Sequence, residues 1–479
     1  MDNIQTVLGL ATAVMYWLLI ALVTARVIAR RKPVSVTLAW LLVIFIVPIL
    51  GAVLYLLVGD LNLGRKRAGR AEAMIEPYLR SLHTSFPADV TLPGGQLSLA
   101  INQLLSTQIH ISAQSYQSLE VLDAPEDIFD RLCDDVRRAR RCIRIETYIW
   151  FPGGRADELA QALIEAAGRG VEIYLLIDHA GSRPFFRSRW HKQMKAAGIE
   201  VTAALPVRLL RALVHRIDLR MHRKLIVIDD AIAYTGSMNI ADPAFFKRDA
   251  KVGPWIDIML RIDGQAAAGL AKVFAWDWEV ETGQRRLPEV GNTPDNPSQW
   301  LMVLPSGPGT GEDLIGHATL TSIYRANHSI VISTPYFVPS EAILEALCQA
   351  AHRGVKVQLL LPRRNDSLMV GWASRSYFEM LLQAGVEIFL FDGGLLHTKA
   401  MLMDEQLALV GSVNLDIRSL QLNFELTVAL TTPESCAHIR AVLDSYQARS
   451  EQLLLSRWQQ RSKVARGLER LMYFMSPLL

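Results

Sequence analysis

Two histidines in this 479-residue chain are followed by the same spaced set of polar residues. Each set reads His-x-Lys, then an Asp five positions after the Lys, then Gly-Ser-x-Asn. The first copy contains His222, Lys224, Asp229, Ser237 and Asn239, and the second contains His397, Lys399, Asp404, Ser412 and Asn414. A single His-x-Lys is common by chance, whereas two copies with the same trailing residues predict catalysis. Because residues i and i+2 of a strand share a face, each His and its Lys should point the same way.

The chemistry that suits this set is attack on a phosphodiester. Lysine ammonium and asparagine amide groups bind non-bridging oxygens and stabilise charge in the transition state. One neutral imidazole can attack phosphorus while the other, protonated, donates to the leaving oxygen, since histidine titrates near neutrality. The residues expected to hold the phosphate are Lys224, Lys399, Asn239 and Asn414.

Both motifs lie inside an internal duplication. Residues 143–154 parallel 330–341, 166–178 parallel 350–362, 195–201 parallel 382–388, and 221–240 parallel 396–415. Each copy alternates short apolar runs with stretches of helical periodicity, which predicts an α/β fold. Unalternating apolar runs are typical of buried parallel strands, so we expect mainly parallel sheets. A pseudo-twofold arrangement of the two halves would bring both motifs to one site.

Two long runs without charge precede the duplication. They cover residues 3–25 and 33–59, and about 20 apolar residues are enough for a helix to cross a bilayer. We therefore predict an N-terminal two-helix transmembrane hairpin; the alternatives are a signal peptide followed by one anchor, and a hairpin buried in a soluble protein. Basic residues flank both runs: Arg26, Arg30, Arg31 and Lys32 in the turn, and Arg65, Lys66, Arg67 and Arg70 after the second run. Each group has four basic residues, so the positive-inside rule does not decide which side of the membrane the rest of the chain faces.

The predicted domain layout has six parts. These are a membrane hairpin (1–60), a basic linker and lead-in (61–110), a first half (111–290), a linker rich in turn formers (291–300), a second half (301–450) and a basic amphipathic tail (451–479). The segment 205–222 also has apolar residues at helical spacing with arginines between them, which favours contact with an anionic membrane surface over packing on the domain. For the tail, membrane contact and packing on the hairpin or on a second subunit of a homo-oligomer remain equal alternatives.

Composition narrows the function classes. The chain is 51% hydrophobic and 20% charged, which excludes a disordered protein and a polytopic transporter. A net charge of +3 does not favour nucleic acid as a partner. The four cysteines, Cys133, Cys142, Cys348 and Cys436, have no Cys-x-x-Cys or Cys/His metal spacing, so we expect buried reduced thiols and no metal site.

The doubled His-x-Lys-x4-Asp motif with Gly-Ser-x-Asn resembles the phospholipase D superfamily over roughly residues 110–450. Together with the two apolar runs and four further motifs, the chain is similar to bacterial cardiolipin synthases along nearly its whole length. These motifs are ETGQRRLP (281–288), SGPG (306–309), TPYFVPS (334–340) and GGLLHTK (393–399). The resemblance implies tandem phospholipase D-like domains and a covalent phosphohistidine formed without metal or cofactor. It also implies His222 as the nucleophile and His397 as the general acid and then the general base.

The resemblance further implies that Asp257 and Glu425, at equivalent places after each motif, accept from the far ring nitrogen of each histidine and orient it. Ser237 and Ser412 are expected to assist them. Asp229 and Asp404 are grouped with the catalytic motif, but they lie five residues beyond each Lys and on the opposite face, which favours a structural role.

The implied activity is that of a multi-pass protein of the bacterial inner membrane that condenses two phosphatidylglycerol molecules into cardiolipin and glycerol. Its partners would be phosphatidylglycerol and anionic membrane lipid, and not nucleic acid. The residues alone leave four other functions open. These are hydrolysis by water as in a phospholipase D, transfer to another alcohol or phospholipid, cleavage of nucleic acid, and a scaffold with relic motifs.

Overall fold

The computed structural model describes residues 2–30, 34–59, 65–83, 92–206, 218–288, 299–308 and 313–475. Most of the predicted linker 291–300 lies outside the described residues, and so does the central part of the predicted amphipathic segment, residues 207–217.

Among the described residues of the N-terminal region, one helix is long and apolar enough to cross a membrane. Its helices are α1 (Asp2–Ala29), α2 (Val34–Ile46), α3 (Pro48–Val58), α4 (Arg65–His83) and α5 (Gly95–Ile109). The apolar part of α1, Gln5–Ala29, has a mean hydropathy of 2.2. The second predicted span is instead two short helices, because proline lacks an N–H and its ring clashes with the preceding turn. The predicted two-helix transmembrane hairpin is therefore not confirmed.

The first half is built around a seven-stranded sheet. Its elements are β1 (Gln114–Ser115), β2 (Ser118–Leu122), α6 (Pro125–Arg138), β3 (Cys142–Thr147), α7 (Arg155–Gly168), β4 (Glu172–Asp178), α8 (Arg183–Arg187), α9 (Arg189–Ala196), β5 (Glu200–Ala204), β6 (Leu225–Ile228), β7 (Ile232–Gly236), β8 (Trp255–Ile256), β9 (Met259–Asp263) and α10 (Gln265–Thr282). The strand order is β2-β9-β7-β6-β3-β4-β5.

The second half repeats this plan with a nine-stranded sheet. Its elements are β10 (Trp300–Ser306), α11 (Leu314–Arg325), β11 (Ser329–Ser333), β12 (Phe337–Val338), α12 (Glu341–His352), β13 (Lys356–Pro362), α13 (Leu368–Ser376), α14 (Phe378–Gln383), β14 (Glu387–Phe391), β15 (Leu395–Leu396), β16 (Ala400–Met403), β17 (Leu407–Gly411), β18 (Leu415–Asp416), α15 (Ile417–Gln421), β19 (Glu425–Leu430), α16 (Pro433–Ala448), β20 (Ser450–Leu453), α17 (Leu455–Gln459) and α18 (Lys463–Met475). The strand order is β1-β10-β19-β17-β16-β11-β13-β14-β20, so this sheet also includes β1 from the first half.

The prediction of mainly parallel sheets is wrong. Only β3–β4 and β4–β5 are parallel among the six pairings of the first sheet, and only β11–β13 and β13–β14 among the eight of the second, within the described ranges. The strands that follow each motif are joined by tight turns, which require antiparallel neighbours. An unalternating apolar run reports that both faces of a strand are buried and does not report its direction.

The core lies in three layers. The middle one is formed between the two sheets, where α10 from the first half and α16 from the second are enclosed. Each sheet carries its own apolar cluster on the opposite face, against α6, α7 and α9 in the first half and against α11, α12 and α14 in the second. The two halves therefore share one continuous core, which holds the two motifs in a fixed relation.

The flanking segments pack on the body of the protein. Helix α4 lies against α10, where Arg67 forms a bidentate ion pair with Glu281 at 2.8 and 2.9 Å and Arg70 donates to the carbonyls of Val280 and Glu281. Helix α5 belongs to the core of the second half. The C-terminal α18 packs on α13 of its own chain. Two of the basic residues at 65–70 thus bind protein groups.

Candidate active site

Each histidine segment is held by a strand segment of the opposite half. The backbone N–H of His222 donates to the carbonyl of Phe424 at 2.9 Å, beside a parallel bridge between Met221 and Phe424. The backbone N–H of His397 donates to the carbonyl of Ile256 at 2.8 Å, next to the parallel pairing of β15 with β8. Because each motif is hydrogen-bonded to the backbone of the other half, the two motifs lie together where the halves meet.

Each imidazole is bonded to a carboxylate from the other half. Nδ1 of His222 lies 2.8 and 2.9 Å from the two carboxylate oxygens of Glu425, and Nδ1 of His397 lies 2.6 Å from Oδ1 of Asp257. All four side chains are buried. The predicted residues are the ones that meet, and the pairing is crossed: the carboxylate that follows one motif serves the histidine of the other.

A serine fixes each of these carboxylates. Oγ of Ser412 donates to Glu425 at 2.5 Å, and Oγ of Ser237 donates to Asp257 at 2.6 Å. Each hydroxyl also accepts the backbone N–H of the residue that follows the carboxylate, at 2.9 Å for Leu426 and 3.0 Å for Ile258. A hydroxyl that both accepts and donates in this way has one orientation, so each carboxylate is held in place from behind.

Burial favours the neutral form of both imidazoles. Burial lowers the pKa of His222 and of His397 to about 4, since a charged ring would lose its hydration, although the paired carboxylates act in the opposite direction. Burial alone would raise the pKa of Asp257, but the neighbouring His397 and Lys399 and the bond from Ser237 lower it to about 2. A neutral imidazole beside an ionised carboxylate is the state that a nucleophile requires.

The two lysines lie where the motif spacing predicts. Nζ of Lys224 donates to the carbonyl of His222 at 2.6 Å, and Nζ of Lys399 donates to the carbonyl of His397 at 2.7 Å. Burial lowers the pKa of Lys224 to about 8 and that of Lys399 well below its usual value. Two ammonium groups that have lost much of their hydration attract an anionic phosphate strongly.

The two motif asparagines keep amide groups available for a ligand. Both side chains are buried, and one terminal atom of each amide has no partner among the described residues. For Asn414, turning the amide over would let its oxygen accept from Ser419 and leave the NH₂ group to donate elsewhere. The unpartnered atom is Oδ1 in both residues, so an amide that is turned over would place its NH₂ group there, where a phosphate oxygen could accept from it.

Asp229 and Asp404, which complete the sequence motif, lie away from this chemistry. The carboxylate of Asp229 accepts the backbone N–H groups of residues 140, 141 and 142, and that of Asp404 accepts those of residues 327, 328 and 329, at 2.7–3.0 Å. Both residues have positive φ (54° and 51°) at the turn between two strands. The geometry supports the structural role, because the oxygens of each carboxylate accept backbone N–H groups and anchor a turn to the start of the neighbouring strand.

Sequence reasoning missed an aromatic ring beside each histidine. The ring of Tyr148 lies 4.9 Å from that of His222, and the ring of Trp255 lies 4.4 Å from that of His397. Tyr148 stands in the duplicated segment 143–154, and Trp255 stands two residues before Asp257, so proximity to the motifs was the only available signal. Tyr336 and Lys247, which both bond to the buried Asp366 at 2.7 Å and link the halves near Trp255, were also missed.

A buried ion cluster in the first half was missed as well. Arg223, the middle residue of the first motif, donates Nε to the carbonyl of Glu425 and Nη2 to that of Ser306, both at 2.9 Å, and pairs through Nη1 with Asp277. Glu146 lies nearby, and neither of its oxygens has a partner among the described residues. Burial raises the pKa of Glu146 to about 7 despite the charge of Arg223.

No group of three or more His, Cys, Asp or Glu side chains with metal-binding geometry occurs in the described part of the chain. The four cysteines are buried and free, as expected.

Comparison with known proteins identifies the family. The family described as "Cardiolipin synthase, PLD-like domain" matches residues 132–278 and 319–446, and "Phospholipase_D-nuclease N-terminal" matches residues 14–59. A protein of Cronobacter sakazakii named cardiolipin synthase A is 46% identical, and one of Shigella boydii with the same name is 45% identical, each over the full length of both chains. This chain belongs to the cardiolipin synthase family.

A solved structure shares the fold of this cardiolipin synthase family member. The phosphatidylserine synthase of Haemophilus influenzae superposes with a TM-score of 0.58, covering 80% of this chain and all of the other, at 14% identity. The similarity supports the tandem arrangement of two α/β halves.

Proposed function

We propose that this chain is a membrane-anchored phosphatidyltransferase that makes cardiolipin and glycerol from two phosphatidylglycerol molecules. Family membership and the names of the full-length relatives support the product. The observation that carries the mechanism is the crossed pairing of His222 with Glu425 and of His397 with Asp257.

In the first step the neutral His222 attacks the phosphorus of one phosphatidylglycerol. Its Nδ1–H is bound to Glu425, so the lone pair is on Nε2. A phosphorus–nitrogen bond forms and the bond from phosphorus to the headgroup glycerol oxygen breaks. His397, which takes up a proton when the phosphodiester anion enters and offsets the cost of its charge, gives that proton to the departing oxygen and releases glycerol.

In the second step the neutral His397 accepts the proton of a hydroxyl on the second phosphatidylglycerol. The hydroxyl oxygen attacks the phosphohistidine, the phosphorus–nitrogen bond breaks, and cardiolipin forms with His222 returned to its neutral state. The four phosphate-binding groups act in both steps, since each passes through a pentavalent phosphorus with extra charge on its oxygens. They are Lys224, Lys399, Asn239 and Asn414.

The assignment of His222 as the nucleophile and His397 as the acid and base rests on the family resemblance, because both imidazoles have the same hydrogen-bonding pattern. Trapping tests it directly. Protein carrying His397→Ala and mixed with phosphatidylglycerol labelled in its acyl chains should gain covalent label slowly, because the acid of the first step is missing, and should then keep it, because the base of the second step is missing. Protein carrying His222→Ala should retain none. Covalent label in the His222→Ala protein and none in the His397→Ala protein would reverse the assignment.

Product analysis tests the activity itself. Purified full-length protein in vesicles of labelled phosphatidylglycerol should yield cardiolipin and glycerol in equal amounts. Phosphatidic acid in place of cardiolipin would mean that water is the acceptor, and the transferase proposal would fail while the two-histidine chemistry stood. Addition of phosphatidylethanolamine should leave the cardiolipin yield per phosphatidylglycerol unchanged. A higher yield would mean that phosphatidylethanolamine also serves as a substrate and would contradict the proposed pair of substrates.

We also propose that α1 anchors the protein in the inner membrane. The 25-residue segment Gln5–Ala29 would span about 37 Å at 1.5 Å per residue, which exceeds the ~30 Å hydrocarbon layer. An enzyme fixed at the bilayer meets its lipid substrates without leaving the surface. Fractionation of cells expressing residues 65–479 alone should show more of the protein released from membranes than with the full chain.

A further inference from the structure

The second apolar run folds back on itself. The ring centroids of Trp40 in α2 and Tyr55 in α3 are 5.3 Å apart. In one continuous helix, residues fifteen positions apart would be separated by about 22 Å along the axis. The backbone leaves the helical region at Val47 (φ −131°, ψ 74°), immediately before Pro48. The chain therefore reverses direction at this point.

A glycine allows the close contact between the two short helices. A Cβ atom built on Gly51 would lie 2.6 Å from the carbonyl oxygen of Val43 and 2.8 Å from Cα of Ile44. Any larger residue would push the two backbones apart. Ile44, Ala52 and Tyr55 are almost completely buried in the resulting contact. The chain reversal is thus stabilised by packing between α2 and α3, and Gly51 permits the close approach of their backbones.

The pair of short helices reaches only half of α1. Helix α2 has 13 residues and α3 has 11, which gives lengths of about 20 and 16 Å, well below the ~30 Å of the hydrocarbon layer. The α1 side chains buried against them are Ile20, Val23 and Val27, all in its C-terminal half. In the N-terminal half, Val7, Leu10 and Val14 are 58–69% exposed. A second full span would cover α1 along its whole length.

The outer faces of the pair are apolar. Exposed side chains on α2, α3 and the turn between them include Leu42, Phe45, Ile46, Ile49, Leu50 and Val53. Such a continuous apolar surface is unfavourable in water and is matched by lipid chains. Both segments are helical, so their backbone groups are satisfied at membrane depth. The turn, which carries no charge, fits the middle of the bilayer.

We propose that residues 34–58 form a re-entrant helical pair that enters and leaves the same leaflet, so that α1 is the one full span in this region. Both basic groups, at 26–32 and at 65–70, then lie on one side of the membrane instead of on opposite sides. The positive-inside rule places that side in the cytoplasm. The catalytic halves, which follow directly, lie there too, and the N-terminus lies on the periplasmic side.

Cysteine labelling tests the proposal in the full-length protein. Single cysteines are introduced as Asn3→Cys, Pro33→Cys or Asn62→Cys, with the wild-type chain and its four buried cysteines as background. A membrane-impermeant maleimide should label Asn3→Cys in intact spheroplasts only, and should label Pro33→Cys and Asn62→Cys in inverted vesicles only. Labelling of Pro33→Cys and Asn62→Cys from opposite sides would show two full spans and overturn the proposal. Labelling of both from the periplasmic side would overturn the cytoplasmic placement.

Crosslinking tests the reversal independently of sidedness. In membranes, a short bifunctional thiol reagent should join the cysteines of a Trp40→Cys/Tyr55→Cys protein, as detected by the mass of the crosslinked peptide. The matched control is Val7→Cys/Leu22→Cys, which has the same separation in sequence within the straight α1 and should not crosslink. Failure of the first pair, or equal crosslinking of both, would contradict a reversal at Pro48.

Discussion

The imidazole of His222 lies beside Tyr148, in the half that holds the buried ion cluster of Arg223 and Asp277. The imidazole of His397 lies beside Trp255, whose ring is near the ion pair of Lys247 with Asp366. The middle residue of the motif is Arg223 in the first half and Thr398 in the second. Arg223 bonds to the backbone of Glu425, while Thr398 bonds to the carbonyl of Ile256 and to Tyr446.

The groups that surround the imidazoles and anchor the motif turns are the same in both halves. Each has a lysine, a carboxylate from the opposite half, a serine behind that carboxylate, and an aspartate that anchors the turn after the motif strand. The difference lies one layer deeper, where Glu146 in the first half corresponds to Ser333 in the second. The comparison teaches that the reacting groups of the duplicated fold are matched, and that the supporting residues make the two histidines inequivalent.

The largest effect on the rate of cardiolipin formation should come from replacing the two carboxylates that bond to the histidines. Glu425→Gln and Asp257→Asn should each lower the rate of cardiolipin formation by about 10⁴-fold, because an amide no longer fixes the imidazole tautomer. Rapid-mixing measurement with labelled lipid separates their roles. Glu425→Gln should mainly slow formation of the covalent intermediate at His222. Asp257→Asn should also slow transfer from that intermediate to the second phosphatidylglycerol, where His397 acts as the base. Identical effects on both steps would remove the proposed division of labour.

Breaking the ion cluster should destabilise the first half strongly. Arg223→Met leaves Asp277 without its buried partner, and loss of one member of such a pair costs about 3–5 kcal/mol. The measurement is the free energy of unfolding in detergent. The control is Arg131→Met, which removes a half-exposed ion pair with Glu120 and should cost less than about 1 kcal/mol. Equal losses would mean that Arg223 gives no special support.

Glu146 should make the first half sensitive to pH. Its pKa is raised from 4.5 to about 7 in the folded protein, so the unfolded chain releases a proton that the folded chain keeps, and stability falls as pH rises between these values. Glu146→Gln should therefore be more stable than the wild type by up to about 3 kcal/mol at pH 8, and should gain nothing at pH 4.5. Thermal unfolding at both values checks this, with Ser333→Ala as the second-half control. A gain that does not depend on pH would contradict it.

The smallest effect on stability should come from replacing the two motif aspartates, and it should be the same in both halves. Asp229→Ala and Asp404→Ala each remove a carboxylate that accepts three backbone N–H groups, and each should cost about 1–2 kcal/mol of stability. Turnover per folded molecule should stay near the wild-type value. A loss of turnover of the size expected for the carboxylate variants would return these aspartates to the catalytic set.

The repeated motif was sufficient to predict the site residues, because chemistry fixes the residue types and the duplication excludes chance. Asp257 and Glu425 could be found by their equivalent positions, but not their crossed partners, since sequence order carries no record of which half a strand end faces. Tyr148, Glu146 and Arg223 had no repeated counterpart of the same type and gave no signal.

The sequence by itself determined the reacting groups, the duplicated α/β plan and the apolar N-terminus, since these depend on residue type, spacing and local periodicity. Only the tertiary structure decided the strand directions, the exchange of carboxylates between halves and the reversal at Pro48. The physical reason is the same in each case: an apolar run shows that a segment is buried, whereas the direction in which it runs and the group it meets depend on contacts between residues far apart in the chain.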